Sequence, residues 1–172
     1  MTNPTVAELI SLYRLQPHPE GGFFNETYRS IGVYKGLLAP FKGERSYSTA
    51  IVFLIPKNVT SALHRIASDE VWHFYLGGPL TLIQITPQGQ VETITLGADV
   101  LKGQLLQHVV PAGHWFGACS VDGSDYSFVG CTVSPGFDFA DFEMGKREDL
   151  LRMFPGAKNF IERFTEVKGF TD

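Results

Sequence analysis

The chain is cut into short apolar or alternating runs, each closed within a few residues by Gly, Pro, Asn or Asp. Runs of this kind read as β-strands at Phe23–Tyr28, Ser48–Ile55, Ala62–Arg65, Val71–Leu76, Leu80–Thr86, Val91–Leu96, Leu105–Val110, Trp115–Ala118 and Tyr126–Val133. The breaks between them include Pro56-Lys57-Asn58, Gly77-Gly78-Pro79, Pro87-Gln88-Gly89 and Pro111-Ala112-Gly113. No segment of helical length separates the strands, which excludes a parallel α/β sheet. Many short strands at close spacing must bury one face each, and a sandwich or a closed barrel does this.

Helical periodicity is confined to the two ends. Thr5 and Glu8 form a capping-box pattern ahead of Val6, Leu9, Ile10 and Tyr13, and this helix stops before Pro17. Past Pro135, the group Leu150, Leu151 and Phe154 and the group Phe160, Ile161, Phe164 and Val167 suggest two short helices outside the strands. The chain has 172 residues, with 44% hydrophobic and 13% aromatic content. Such a chain fills one core and needs neither disulfide nor metal to fold, so residues 1–172 read as a single domain.

Charge narrows the partners. The net charge is −4 and no basic run occurs, which argues against nucleic acid. No apolar stretch approaches membrane-spanning length, and the first residues lack a signal-peptide pattern. The expectation is a cytoplasmic protein without a membrane partner. Cys119 and Cys131 are then free thiols. A hairpin with its tip near Asp122–Asp125 would set Cys131 opposite Phe116, out of register with Cys119.

The chemistry concentrates in His64-Arg65-Ile66-Ala67-Ser68-Asp69-Glu70-Val71-Trp72-His73-Phe74-Tyr75-Leu76-Gly77. Here a histidine ends one strand and a glutamate begins the next. Alternation puts Trp72, Phe74 and Leu76 on the Glu70 face. If that face is interior, a carboxyl and an imidazole share an aromatic-lined space, and buried ionisable groups need a partner, a ligand or a shifted pKa. The plain alternative is a structural pair at a strand turn. Arg29 can grip an anionic ligand or pair with Glu26. Pro135-Gly136-Phe137-Asp138-Phe139 is a plain exit turn or a closure over the mouth, with all three of Phe137, Asp138 and Phe139 at a ligand. Pro17-His18-Pro19-Glu20-Gly21-Gly22 reads most simply as a rigid turn, with His18 as a lesser candidate for ligand contact.

His64, Glu70 and Gly77 stand at the spacings of the first cupin motif, and Pro111 and Gly113 at those of the second. On these residues the chain resembles the cupin superfamily. The segments Gln16–Gly22, Asp69–His73, Pro111–Ala118 and Pro135–Phe139 look like those of a family of small, functionally uncharacterised, single-domain cupins. The resemblance implies an all-β, cupin-type jelly-roll β-barrel with short flanking N- and C-terminal helices, and a homodimer. It also shows departures. Ile66 and Phe116 stand where two metal histidines belong, Asn58 where a glycine belongs and Ser120 where an asparagine belongs. The ligand set is incomplete, so no metal or other cofactor is expected.

The sequence therefore carries His64 and Glu70 as catalytic candidates. Trp72, Phe74, Phe116, Arg29, Ser48, Phe137, Asp138 and Phe139 are candidates for holding a small-molecule ligand. In one reading the protein is a metal-independent isomerase or epimerase on a carbonyl-bearing or sugar-like molecule. His64 is then the base, Glu70 its partner, and a hydroxyl of Tyr28, Tyr75 or Tyr126 the second donor. In the other, the same pocket is a non-catalytic binding module. A metal-dependent oxygenase is disfavoured by Ile66 and Phe116.

Overall fold

The computed structural model describes residues 3–36, 39–121 and 123–165. Its strands are β1 (Gln16–Pro17), β2 (Phe23–Arg29), β3 (Val33–Tyr34), β4 (Arg45–Ser46), β5 (Thr49–Pro56), β6 (Thr60–Arg65), β7 (Asp69–Gly77), β8 (Leu80–Ile85), β9 (Val91–Leu96), β10 (Gln107–Val110), β11 (Trp115–Ser120), β12 (Tyr126–Ser134) and β13 (Glu143–Met144). Three helices flank them: α1 (Val6–Tyr13), α2 (Arg147–Met153) and α3 (Lys158–Phe164). One sheet has the order β1-β2-β5-β12-β7-β10 and the facing sheet the order β13-β6-β11-β8-β9.

From β5 onward, consecutive strands alternate between the sheets in the jelly-roll manner, with β8 and β9 as the one hairpin within a sheet. The sheets form a sandwich and do not close into a hydrogen-bonded barrel. At one open side they meet through a single parallel bridge, Leu96 to Leu105.

Period-two alternation sorts each strand into a core face and an outer face. Phe53, Ile55, Trp72, Leu82, Phe116, Val129 and Cys131 fill the space between the sheets. The outer face of the larger sheet carries Leu54 and Phe128 and is covered by Leu9 of α1. The outer face of the smaller sheet carries Leu63, Ile83 and Trp115 and is covered by Leu150, Ile161 and Phe164. The capping box at Thr5 and Glu8 is present, with Thr5 Oγ1 accepting from the Glu8 amide at 3.2 Å. Val167 and Asp122, both part of the sequence expectations, lie outside the described residues. Among the described residues, no helix is long and apolar enough to cross a membrane.

Two expectations from the sequence fail here. The run Trp115–Ser120 and the run Tyr126–Ser134 are not a hairpin, because jelly-roll topology sends them to opposite sheets. Cys131 lies opposite Ile51 and Trp72, and Cys119 opposite Thr60 and Thr81. Among the described residues neither thiol forms a disulfide, and both are buried. Alternation along β7 also breaks. The register against β12 slips by one residue between Phe74 and Leu76. Tyr75 is the extra residue of a β-bulge, and beyond it Leu76 turns outward to the α1 side, while Phe74 packs on the inner core.

Candidate active site

A cavity of about 270 Å³ opens between the sheets at one end of the sandwich. Its floor is made by Glu20, His64, Glu70, Trp72 and Cys131, and its mouth by Glu26, Arg29, Asp138 and Phe139. His64 and Glu70 therefore reach the same interior, as the strand pattern expects. Trp72, Arg29, Phe137, Asp138 and Phe139 also line it.

Three other candidates do not. Phe74 packs within the core, and Phe116 lies behind His64 with ring centroids 4.1 Å apart. The Ser48 hydroxyl donates to the Val133 carbonyl at 3.0 Å. None of the three tyrosines considered as proton donors lines the cavity. Tyr28 and Tyr75 are about half exposed, Tyr75 stacking over His73, and Tyr126 belongs to the cluster under α1.

The residue the sequence reading missed is Glu20. The loop after β1 folds back through a pair of backbone bonds, His18 N to the Gly22 carbonyl and Gly21 N to the His18 carbonyl. Its approach to the sheets demands glycine. Gly21 and Gly22 have φ of 110° and 75°, and a Cβ at Gly21 would stand 2.2 Å from the Thr60 carbonyl oxygen. The loop is pinned to β6 by the Ala62 amide, which donates to the Glu20 carbonyl at 2.8 Å. This drives the Glu20 side chain inward, where it is 5% exposed.

Glu20 Oε2 then lies 3.2 Å from His64 Nε2 and 3.3 Å from His18 Nδ1, while Oε1 accepts from the Ser61 hydroxyl at 2.7 Å. The neighbouring groups fix where the hydrogens sit. His64 Nδ1 faces the Ala62 carbonyl at 2.7 Å, and a carbonyl only accepts, so Nδ1 carries the hydrogen. His18 Nδ1 accepts from the Glu20 amide at 3.3 Å. In the neutral rings both nitrogens that face Glu20 are thus acceptors; His18 Nδ1 takes the Glu20 amide hydrogen, and a carboxyl proton on Oε2 serves His64 Nε2.

The electrostatics agree. Burial lowers the pKa of His64, opposed by the negative charge of Glu70 and by the Ala62 carbonyl. Burial likewise lowers that of His18, against the pull of Glu20. Glu20 is raised by burial, with His18 and the Ser61 hydrogen bond opposing. A neutral acid between two neutral imidazoles is the favoured state. Both nitrogens of His64 are engaged, Nε2 by Glu20 and Nδ1 by the Ala62 carbonyl.

Glu70 enters from the opposite sheet, on β7. Its pKa is pushed to about 7, chiefly by burial and further by Glu20, against the stabilising charge of His64 and a hydrogen bond from the Cys131 thiol. The Cys131 thiol is in turn pushed well up by burial and by Glu70. Trp72 lies beside them, and its Nε1–H has no acceptor among the described residues.

The segment after β12 forms the rim. The Phe137 amide donates to Thr49 Oγ1 at 2.9 Å, and Asp138 caps the next turn through the Ala140 amide at 2.8 Å. Arg29 does not point free into the mouth. It grips Glu26 through two bonds of 2.8 and 2.7 Å and donates to the Phe137 carbonyl at 3.1 Å. Below the rim, Arg45 forks onto Asp141 through two bonds of 2.7 Å.

Residues 7–145 match the sequence family described as Cupin superfamily (DUF985). The chain belongs to this cupin family. Uncharacterized protein YML079W of Saccharomyces cerevisiae is 28% identical over 170 residues, which cover 92% of this chain and 84% of that one. A hypothetical protein from Leishmania major is 35% identical, with a TM-score of 0.86, and covers 94% of this chain and 98% of that one. Protein SO0799 from Shewanella oneidensis is 34% identical, with a TM-score of 0.87, over 96% of this chain and all of that one (100%).

Metal cupins hold their ion with several histidines and a carboxylate, and the donors of this cupin do not fit one. Ile66 lines the cavity and Phe116 packs on His64, at the two positions where further histidines would ligate. Glu20 and Ala62 occupy both nitrogens of His64. Among the described residues, no group of three or more His, Cys, Asp or Glu is arranged to hold a metal ion. What the arrangement can do is hold and move protons.

Proposed function

We propose that the cavity binds a small carbonyl-bearing molecule and shifts a proton beside the carbonyl, as a metal-independent isomerase or epimerase. One observation carries this reading: Glu20 Oε2 lies 3.2 and 3.3 Å from two imidazoles on one side of the cavity, and Glu70, with its pKa pushed to about 7, enters from the other. Proton abstraction from carbon needs a base matched to the working pH and a separate acid.

Glu70 is the base. As its carboxylate takes the proton, the C–H electron pair moves toward the carbonyl oxygen, and we assign as the donor to that oxygen Trp72, which lines the cavity and whose Nε1–H has no acceptor among the described residues. Glu20 then gives its proton to carbon or oxygen from its own side and becomes a carboxylate; after product release, proton exchange with solvent restores the Glu20 acid and the Glu70 carboxylate. Atoms and electrons balance with no oxidant or reductant. Aromatic walls exclude water from the reacting atoms.

The test is proton NMR of small aldehydes, ketones and aldoses incubated with the protein in deuterium oxide. The reading expects deuterium at the carbon beside the carbonyl, lost in Glu70→Gln. A ligand held in the cavity by native mass spectrometry, with no exchange on any compound, would assign the site to binding alone.

A further inference from the structure

The same cavity has a sign. Four carboxyl groups line it, Glu20, Glu26, Glu70 and Asp138, against one permanent cation, Arg29. That guanidinium is already gripped at two points by Glu26 and bonded to the Phe137 carbonyl. Among the described residues no lysine lines the space, and α1, α2 and α3 pack on the outer faces of the sheets. The two imidazoles favour their neutral forms because burial lowers both. An anionic ligand would find no free cation here, and would approach two carboxyls that already resist ionising.

The walls complete the pattern. Phe24, Phe53, Trp72, Phe137, Phe139 and Phe142 surround the cavity. Ring faces carry negative quadrupole charge and attract cations. Among the described residues, the two cation–π pairs are Arg65 with Trp115 and Arg163 with Phe164, and neither Trp115 nor Phe164 lines the cavity. The rings around it have been given no cation by the protein itself.

We propose that the cavity takes a small organic cation, a protonated amine held between the aromatic rings and the Glu70 carboxylate, and discriminates against carboxylates and phosphates. This deepens the reading above by naming the charge class of the ligand. It rests on the cavity being the ligand site and not on the proton transfer. At about 30 Å³ per water, 270 Å³ holds about nine water-sized groups, which suits a one-ring amine. With the carbonyl of the proposed reaction, the substrate class becomes an amino-carbonyl compound whose oxygen meets Trp72.

Calorimetric titration of the full chain at neutral pH with benzylamine, benzyl alcohol and benzoate tests this. The three probes share a ring and differ in charge. Benzylamine is expected to bind about tenfold or more tighter than benzyl alcohol, and benzoate not to bind measurably. Glu70→Gln should bring benzylamine toward the benzyl alcohol value while leaving benzyl alcohol unchanged. Phe139→Leu alters a ring that is 54% exposed and spares the fold, and it should weaken benzylamine more than benzyl alcohol. Benzoate binding as tightly as benzylamine, or equal affinities for all three, would overturn the proposal. Absence of deuterium exchange with the amine preference intact would remove only the proton-transfer reading. Exchange on carbonyl compounds without amine preference would remove only this one.

Discussion

Glu20 Oε2 lies 3.2 Å from His64 Nε2, and the far nitrogen of that ring is fixed as a donor by the Ala62 carbonyl. The bond between the two side chains therefore holds one proton, on the acid or on the ring. Glu20→Gln tests what that proton does. An amide can donate to His64 and accept from Ser61, so packing and hydrogen bonding survive, but the amide has no proton to give up. The expected outcome is a loss of deuterium exchange of about 10²-fold or more, with unfolding free energy in urea within about 1.5 kcal/mol of the parent. Retained exchange would remove Glu20 from the reaction.

Glu70 sets a stability profile. The folded protein holds its proton up to about pH 7, whereas the unfolded chain releases it in the ordinary glutamate range. A raised carboxyl favours the folded state fully below the unfolded pKa, and that contribution is lost as pH rises through about 7. The full loss is about 3 kcal/mol, less the hydrogen bond with Cys131. Glu70→Gln should therefore match the parent near pH 4.5 and exceed its stability by about 1–3 kcal/mol at pH 8. Urea unfolding of both proteins across that range measures the difference, and a constant offset would contradict a buried, shifted Glu70.

Trp72→Phe keeps an aromatic ring in the wall and deletes one N–H. The indole has no acceptor, so the folded state loses no hydrogen bond and sheds a desolvated donor. Thermal stability should hold apart from the smaller ring volume. Exchange should fall by about 10²-fold if the N–H stabilises the developing oxyanion. Parallel binding titrations separate this from lost affinity: the fall should appear in the rate at saturating substrate.

The sequence shows its strands plainly because each is bounded by turn residues and alternates between a core face and a helix-covered face. It shows Glu70 and Trp72 for the same reason, since they sit on regular strand, and His64 because it stands at the strand end facing Glu70 across a short turn, although the β6 register against β11 shifts just before it. Phe116 deceived because alternation gives a face and not a depth, and His64 stands between it and the cavity. Leu76 deceived because a bulge at Tyr75 leaves no mark in a pattern of apolar residues. Glu20 was hidden for another reason. His18-Pro19-Glu20-Gly21-Gly22 has the composition of any exposed turn, and nothing local says that it folds back against β6. The signal was the two glycines after a carboxylate, which let the backbone come close enough to bury that carboxylate.

Association should follow from the edge of the larger sheet. Among the described residues β1 covers β2 only at Phe23 and Phe24, leaving one side of Asn25–Arg29 without a strand partner. Such an edge invites a second strand. Light scattering at micromolar concentration should give twice the chain mass, and Tyr28→Lys, a charge on this edge, should shift it toward the monomer. A monomeric parent would remove the homodimer expected from the family resemblance.

The rim depends on a pair remote from any chemistry. Arg45 and Asp141 are 4% and 5% exposed, and their double contact ties β4 to the segment that carries Phe137, Asp138 and Phe139. Arg45 also donates to the carbonyls of Lys42 and Glu44, so its loss would leave several acceptors unmet together with a shielded carboxylate. Removing one partner of a deep ion pair costs roughly 3–5 kcal/mol. This pair lies close beneath the surface, which lowers the expected cost to about 2–3 kcal/mol. Arg45→Met should show that loss in urea unfolding. The double variant Arg45→Met with Asp141→Leu should recover much of it, because no charge is then stranded. The rim also positions the mouth, so Arg45→Met should weaken ligand retention in native mass spectrometry more than it alters the floor. Equal stability of Arg45→Met and the parent would mean that the pair is solvated and that the rim is held by Thr49 and Arg29 alone.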